Sequence, residues 1–282
     1  MRTLTLLLGL AAATALAQAD AGPPASAAPA AEAPAVEAPP PPKPLTELSD
    51  TERRARVATM SKDELAAFMR DTPGEALVKM GLRAVAALGT YSYTMTKQER
   101  VGGKLLDEQQ IVTTLRESPF AVRLEFVAGP SKGRKVIYNP AVRADEFRVR
   151  EAGFFSIAGR LWIGLDSGLA KKDSNHTVKE SGLGNLLRRF ERDQARAKEK
   201  GGLTVRQEGW DAKGHYCALY VMPNKGAGFD AASTRICTDI AAGVPARVEG
   251  YDANDVLLER FEFANVKKTT VTDETFDPDK GL

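Results

Sequence analysis

The sequence predicts a mainly β (α+β) protein built on an antiparallel sheet, and three observations predict it. Four strand-like runs follow one another over residues 91–138 with only turn signals between them. A second series of strand-like runs occupies 203–266. Ahead of both, two short amphipathic stretches read as helices, the first opened by a capping box. Strands in sequence joined by short turns make antiparallel neighbours, because parallel pairing needs long crossovers.

The first series divides into 91–100, 104–116, 120–126 and 134–138. The breaks fall at Gly102-Gly103, Ser118-Pro119 and Gly129-Pro130-Ser131-Lys132-Gly133. In the third run Phe120, Val122, Leu124 and Phe126 alternate with Ala121, Arg123 and Glu125, giving one apolar and one mostly polar face. In the second run Ile111, Thr113 and Leu115 share a face that Gln109 and Asp107 continue with polar groups. In the first, Tyr91, Tyr93 and Met95 begin an apolar face that Lys97 and Glu99 turn polar. Strands that are apolar at one end and charged at the other suit a sheet that curves over a core and leaves one end open. Residues 143–150, with Phe147 and Val149, read as a fifth strand.

Ser61-Lys62-Asp63-Glu64 is a capping box, in which the Ser61 hydroxyl and the Glu64 carboxylate each take the other's backbone N–H. The helix it opens places Leu65, Phe68 and Met69 on one face and ends at Asp71-Thr72-Pro73-Gly74, since proline disfavours helical geometry in the residue before it. A second helix over 75–88 lines up Leu77, Met80, Gly81, Ala84, Val85 and Leu88, a stripe expected to pack on the sheet.

Between Gly153 and Asn175 the pattern breaks. Phe154, Phe155, Ile157, Leu161, Trp162, Ile163 and Leu165 stand among Gly153, Gly159, Gly164 and Gly168. Such a segment is a lid over a cavity, a plug in the core or an ordinary buried crossover. A helix then runs from 183 to about 200 with Leu183, Leu186, Leu187 and Phe190 inward. Its interleaved arginines and acids read as a solvated face.

Strand signals resume at 203–208, 215–222, 233–239, 244–251 and 256–266. The two cysteines, Cys217 and Cys237, are symmetric about residue 227 in a glycine-containing turn, so a regular hairpin sets them opposite each other. In an exported chain that register predicts a disulfide, contributing roughly 3 kcal/mol by loop-closure entropy. Metal binding is the poorer reading, since only His215 is near.

Export is predicted from the N-terminus. Met1-Arg2-Thr3, an apolar run to Ala17 and small residues up to Ala19 make residues 1–19 a secretory signal peptide, too short to span a bilayer. No cysteine follows it for acylation, so the expected location is the periplasm or the exterior, with no transmembrane segment after cleavage. Residues 20–45 hold nine of the sixteen prolines, most of the rest being alanine, and cannot form a core; they read as a disordered tether. The single folded domain is expected over 46–282.

With 39 basic and 37 acidic residues interspersed, the chain lacks the basic footprint of a nucleic-acid binder. Neither His176, in a polar loop, nor His215, at a strand start, stands in a catalytic motif, and there is no nucleophile elbow, phosphate loop or dinucleotide fingerprint. The chain is therefore read as non-catalytic, with no catalytic residues, no cofactor and no metal.

The phrases KQER ending the first strand, Arg116-Glu117-Ser118-Pro119-Phe120, GLGNLL opening the long helix, the cysteine strand pair, VPARVEGYD and TDETFDP resemble an exported bacterial family, domain of unknown function 1571, over about 60–280. That family is similar to LolA/LolB-type lipoprotein carriers. The resemblance implies a curved, open antiparallel β half-barrel, LolA-like, with helices over its concave side, and an apolar concavity that holds acyl chains or hydrophobic peptides. It supplies no catalytic residues. The leading function is then binding of a lipid, acyl chain or lipoprotein, with Tyr91, Tyr93, Phe120, Val122, Leu124, Phe126, Phe154, Phe155 and Trp162 as candidate lining. The alternatives are an envelope structural or signalling protein with a protein partner and, third, a hydrolase built on His215 or His176.

Overall fold

The computed structural model describes residues 42–153 and 159–282. Residues 1–19, most of 20–45, and Phe154 and Phe155 lie outside the described residues. Lys43–Leu282 forms one compact unit.

Three helices come first: α1 (Asp50–Val57), α2 (Lys62–Asp71) and α3 (Gly74–Leu88). The capping box at Ser61 and Glu64 forms as expected, and a second one, Ser49 with Glu52, opens α1. Seven strands follow: β1 (Thr90–Val101), β2 (Lys104–Leu105), β3 (Gln109–Arg116), β4 (Ala121–Ala128), β5 (Lys135–Tyr138), β6 (Glu146–Arg150) and β7 (Arg160–Gly164). Helix α4 (Leu183–Glu199) leads to β8 (Thr204–Trp210), β9 (Tyr216–Val221), β10 (Ser233–Asp239), β11 (Val244–Tyr251) and β12 (Leu257–Lys268).

All twelve strands belong to one antiparallel sheet in the order β7-β6-β5-β4-β3-β1-β12-β11-β10-β9-β8, with β2 paired to the end of β1. The two halves read from sequence join where β1 pairs β12, with Met95 opposite Phe263 and Lys97 opposite Phe261. The end strands β7 and β8 do not pair, so the sheet is open. The fold class expected from the sequence is the one observed.

Two expectations need correction. The segment 153–175 is not irregular throughout, since Arg160–Gly164 forms the edge strand β7 against β6. The glycines on either side obscured a strand that is only five residues long. The 104–116 run is not one strand either; it breaks between Leu105 and Gln109, because β2 only turns back on the end of β1.

One face of the sheet is covered by α3 and α4. Val78, Ala84 and Val85 of α3 and Leu183, Leu187, Phe190 and Ala197 of α4 are buried with Tyr91, Leu115, Val122 and Tyr138 of the sheet. Gly81 lets the two helices approach, for a Cβ there would sit 2.9 Å from Leu187 Cδ1. A smaller cluster joins Leu65 and Met69 of α2 to Tyr216 and Ile240 beneath the β8–β9 end. Cys217 and Cys237 are direct partners across β9 and β10 and are disulfide-bonded.

Candidate functional site

The helices fill only one end of that face. At the other end a cavity of about 810 Å³ remains between the sheet and the chain from Leu169 to Arg192. Its floor comes from β1, β3, β4, β5, β6, β7 and β12, seven consecutive strands of the sheet. Strands are spaced roughly 4.8 Å apart, so seven can border one cavity only if the sheet bends around it. Alternation selects the floor: Ile111, Leu124, Phe126, Val136, Phe147 and Val149 point in, and their neighbours point to the opposite face.

The expected lining residues divide accordingly. Tyr93, Leu124 and Phe126 line the cavity. Tyr91 and Val122 share its face but do not line it; both are fully buried in the core, Tyr91 against the start of α4. Phe120 lies just before β4 and packs on Tyr138 with ring centroids 6.1 Å apart. Trp162 is a correction. Leu161 and Ile163 face the cavity, so the residue between them must face away, and Trp162 is held between Arg143 and Arg148 with guanidinium carbons 4.3 and 4.9 Å from a ring centroid. Sequence pattern could have located this face only if β7 had been read as a strand.

The end of the cavity at β1 and β12 is polar. Lys97 Nζ and Glu99 Oε2 are 2.5 Å apart, and Glu99 is fully buried. The Glu99 carboxylate also accepts from Ser174 Oγ at 2.8 Å and from the Asn175 backbone N–H at 3.0 Å. His176 Nε2 meets Glu259 Oε2 at 2.5 Å, while Arg189 Nη2 donates to Glu259 Oε1 at 3.0 Å. Burial disfavours the charged imidazole of His176, but the Glu259 hydrogen bond and the charges of Glu259 and Glu99 outweigh it and raise its pKa. Burial likewise works against the Glu259 carboxylate, yet His176 and Arg189 hold its pKa below the usual value.

This network overturns two sequence readings. His176 is not merely in a polar loop, and Arg189 is not on a solvated face. Their partners lie 83 and 70 residues away in sequence, so no local pattern could reveal the convergence. Glu99, His176 and Glu259 offer ligand atoms within 4.8 Å of one another. Lys97 and Arg189 already stand against those carboxylates, so the group is built as interlocked ion pairs. For nucleophilic catalysis the arrangement is wrong: the Ser174 hydroxyl is turned to Glu99, and the imidazole nitrogens are turned to Glu259 and Arg189. His215 stands apart, with Nδ1 3.4 Å from Asp211 in the turn before β9.

The network fastens residues 173–182 across the cavity as a strap. Lys97 Nζ donates to the Asp173 carbonyl at 3.2 Å, and Arg134 bridges Glu151 and Asp173. At the strap's far end the Tyr91 hydroxyl donates to Glu117 at 2.9 Å and accepts from the Leu183 N–H at 3.1 Å, anchoring the start of α4. Burial raises the pKa of Tyr91 well above its ordinary value, so this hydroxyl stays protonated.

Residues 88–281 match the family described as a protein of unknown function, DUF1571, and the chain belongs to that family. No curated protein sequence matches it. Among solved structures the chain is similar to the Mycobacterium tuberculosis lipoprotein LppX, with 12% identity, 70% of this chain and 96% of that chain covered, and a TM-score of 0.40. It is also similar to a LolA superfamily protein from Nitrosomonas europaea, at 8% identity, 73% and 97% coverage and a TM-score of 0.31. A third is the Pseudomonas aeruginosa MucA/MucB complex, at 13% identity, 69% and 58% coverage and a TM-score of 0.37. Among the described residues no helix is long and apolar enough to cross a membrane.

Proposed function

We propose that this protein is a non-catalytic binding module of the bacterial cell envelope that holds the apolar part of a lipid, acyl chain or lipoprotein in the cavity beneath the strap. The observation that carries the reading is the cavity itself. Its volume of about 810 Å³ falls within the roughly 300–1,000 Å³ of small-ligand sites. Six apolar side chains from β3, β4, β5 and β6 make a continuous floor, and the titratable groups stand at its border and in the chain that covers it. That division matches an amphiphile, with a chain against the floor and a head at the polar margin.

Export is part of the same proposal, with residues 1–19 as the signal, residues 20–45 as a tether and 46–282 as the binding domain. The signal-like composition and the Cys217–Cys237 bond support it, since disulfides persist in oxidising compartments.

Native mass spectrometry of the full chain expressed with export, before and after delipidation, tests the reading. Bound lipid before delipidation, and displacement of a fluorescent fatty acid from the stripped protein by lipid extract, are expected. Leu161→Asp and Leu169→Asp should weaken uptake; both residues line the cavity and are partly exposed, so the variants should fold. A folded protein that carries no lipid and takes up no fatty acid overturns the proposal.

A further inference from the structure

The basic residues around the cavity fall into two groups. Lys97, Arg134 and Arg189 are each paired with a carboxylate: Glu99, then Glu151 and Asp173, then Glu259. Lys172, Lys179 and Arg192 also line the cavity, and among the described residues none of them has a carboxylate within ion-pair distance. The acids of the lining are engaged elsewhere. Glu99, Glu151 and Asp173 take part in the pairs above, and the Glu180 carboxylate accepts from the Thr177 N–H at 2.6 Å.

The three unmatched cations also share a side. Lys172 and Lys179 belong to the strap region, and Arg192 stands one turn beyond Arg189 on the face of α4 that looks onto the cavity. All three are exposed. The floor is apolar, and the lining as a whole carries six Lys and Arg side chains against four carboxylates, the three cations without an ion pair standing on the roof. An apolar pocket under a cationic rim focuses an attractive field on anions that carry a chain.

We infer that Lys172, Lys179 and Arg192 form a head-group site for an anionic amphiphile, a carboxylate or phosphate attached to an apolar chain lying in the cavity. The inference rests on the proposed binding function and adds the charge class of its ligand. An acidic head at the rim would sit within reach of ammonium and guanidinium donors without desolvating them fully. The chain alone would then take the apolar floor.

The test is competitive displacement of a bound fluorescent fatty acid from the full-length exported protein by amphiphiles of equal chain length: dodecanoate, dodecyl phosphate and neutral monododecanoylglycerol. Both anions are expected to bind about ten-fold more tightly than the neutral ester at low salt, and the preference should collapse as salt is raised. A tighter dodecyl phosphate assigns the site to phosphate heads, and a tighter or equal dodecanoate to any acidic head. In the triple variant Lys172→Glu, Lys179→Glu and Arg192→Glu, with folding checked by circular dichroism, the anion preference should vanish. An ester that binds as tightly as the anions, or a preference that survives in the triple variant, overturns the inference and leaves the cavity reading standing. Binding of none of the three overturns both.

Discussion

His176 Nε2 lies 2.5 Å from Glu259 Oε2, joining the strap to β12 at the polar end of the cavity. Both side chains are largely buried and both are shifted toward their charged forms, His176 upward and Glu259 downward. A histidine raised on folding stabilises fully below its unfolded value of about 6.5 and loses that contribution as pH climbs through its folded value. A glutamate lowered on folding stabilises above about 4.3 and loses the contribution as pH falls through its folded value. The two overlap most between about pH 4.5 and 6.5. His176→Ala should therefore cost about 1–3 kcal/mol near pH 6 and less at pH 9, as measured by urea unfolding at the two pH values. A cost that grows toward pH 9 would contradict the pairing.

Glu99→Ala should be more damaging. It leaves Lys97, only 12% exposed, without its carboxylate, and it frees Ser174 Oγ and the Asn175 N–H. A loss of roughly 3 kcal/mol is expected, the low end for breaking a buried pair because the cavity gives Lys97 some access to water. Hydrogen exchange should show the Asn175 amide losing protection while the β9–β10 amides keep theirs. Unchanged exchange at Asn175 would mean that Glu99 does not hold the strap.

Gly182, immediately before α4, has φ +101°, and a Cβ there would lie 2.5 Å from Leu115 Cδ1 and 3.2 Å from the Tyr91 hydroxyl. Gly182→Ala is expected to destabilise by about 2–3 kcal/mol, combining left-handed strain with overpacking. Thermal unfolding of the variant is the measurement. A neutral result would mean the strap can shift at this point without cost.

Replacing both cysteines, Cys217→Ala with Cys237→Ala, should lower stability by about 3 kcal/mol for a loop of 20 residues and leave ligand uptake intact. The bond joins strands β9 and β10, which lie toward the β8 edge of the sheet and supply no residue to the cavity floor. Urea unfolding and fatty-acid displacement on the same sample separate the two effects.

Much of the sheet was legible because strand pairing between chain neighbours follows local rules. Ser233–Asp239 and Val244–Tyr251 have the expected bounds, and the symmetric hairpin puts Cys217 opposite Cys237. Helix α1 was missed even though Ser49 and Glu52 spell its capping box, because Val57 is its only bulky apolar residue. It is fastened instead by Arg53, 2% exposed, which donates to the carbonyls of Ala241 and Ala242. An arginine buried by distant backbone leaves no trace in hydrophobic periodicity.

The amino-acid sequence by itself determined which residues share a face: Leu124 with Phe126, Tyr91 with Tyr93, Lys97 with Glu99. The two-residue period of a strand needs nothing beyond the strand. Only the tertiary structure decided which of those residues meet helix and which meet empty space, because that depends on where α3 and α4 stop along the sheet. Tyr91 and Val122 are buried in the core that the helices complete, while Leu124 and Phe126 line the cavity. The tertiary structure alone also brought His176, Arg189, Glu99 and Glu259 together. The opposite charges among them stabilise one another across a few ångströms of space after a separation of many residues of chain, and local sequence carries no record of such a distance.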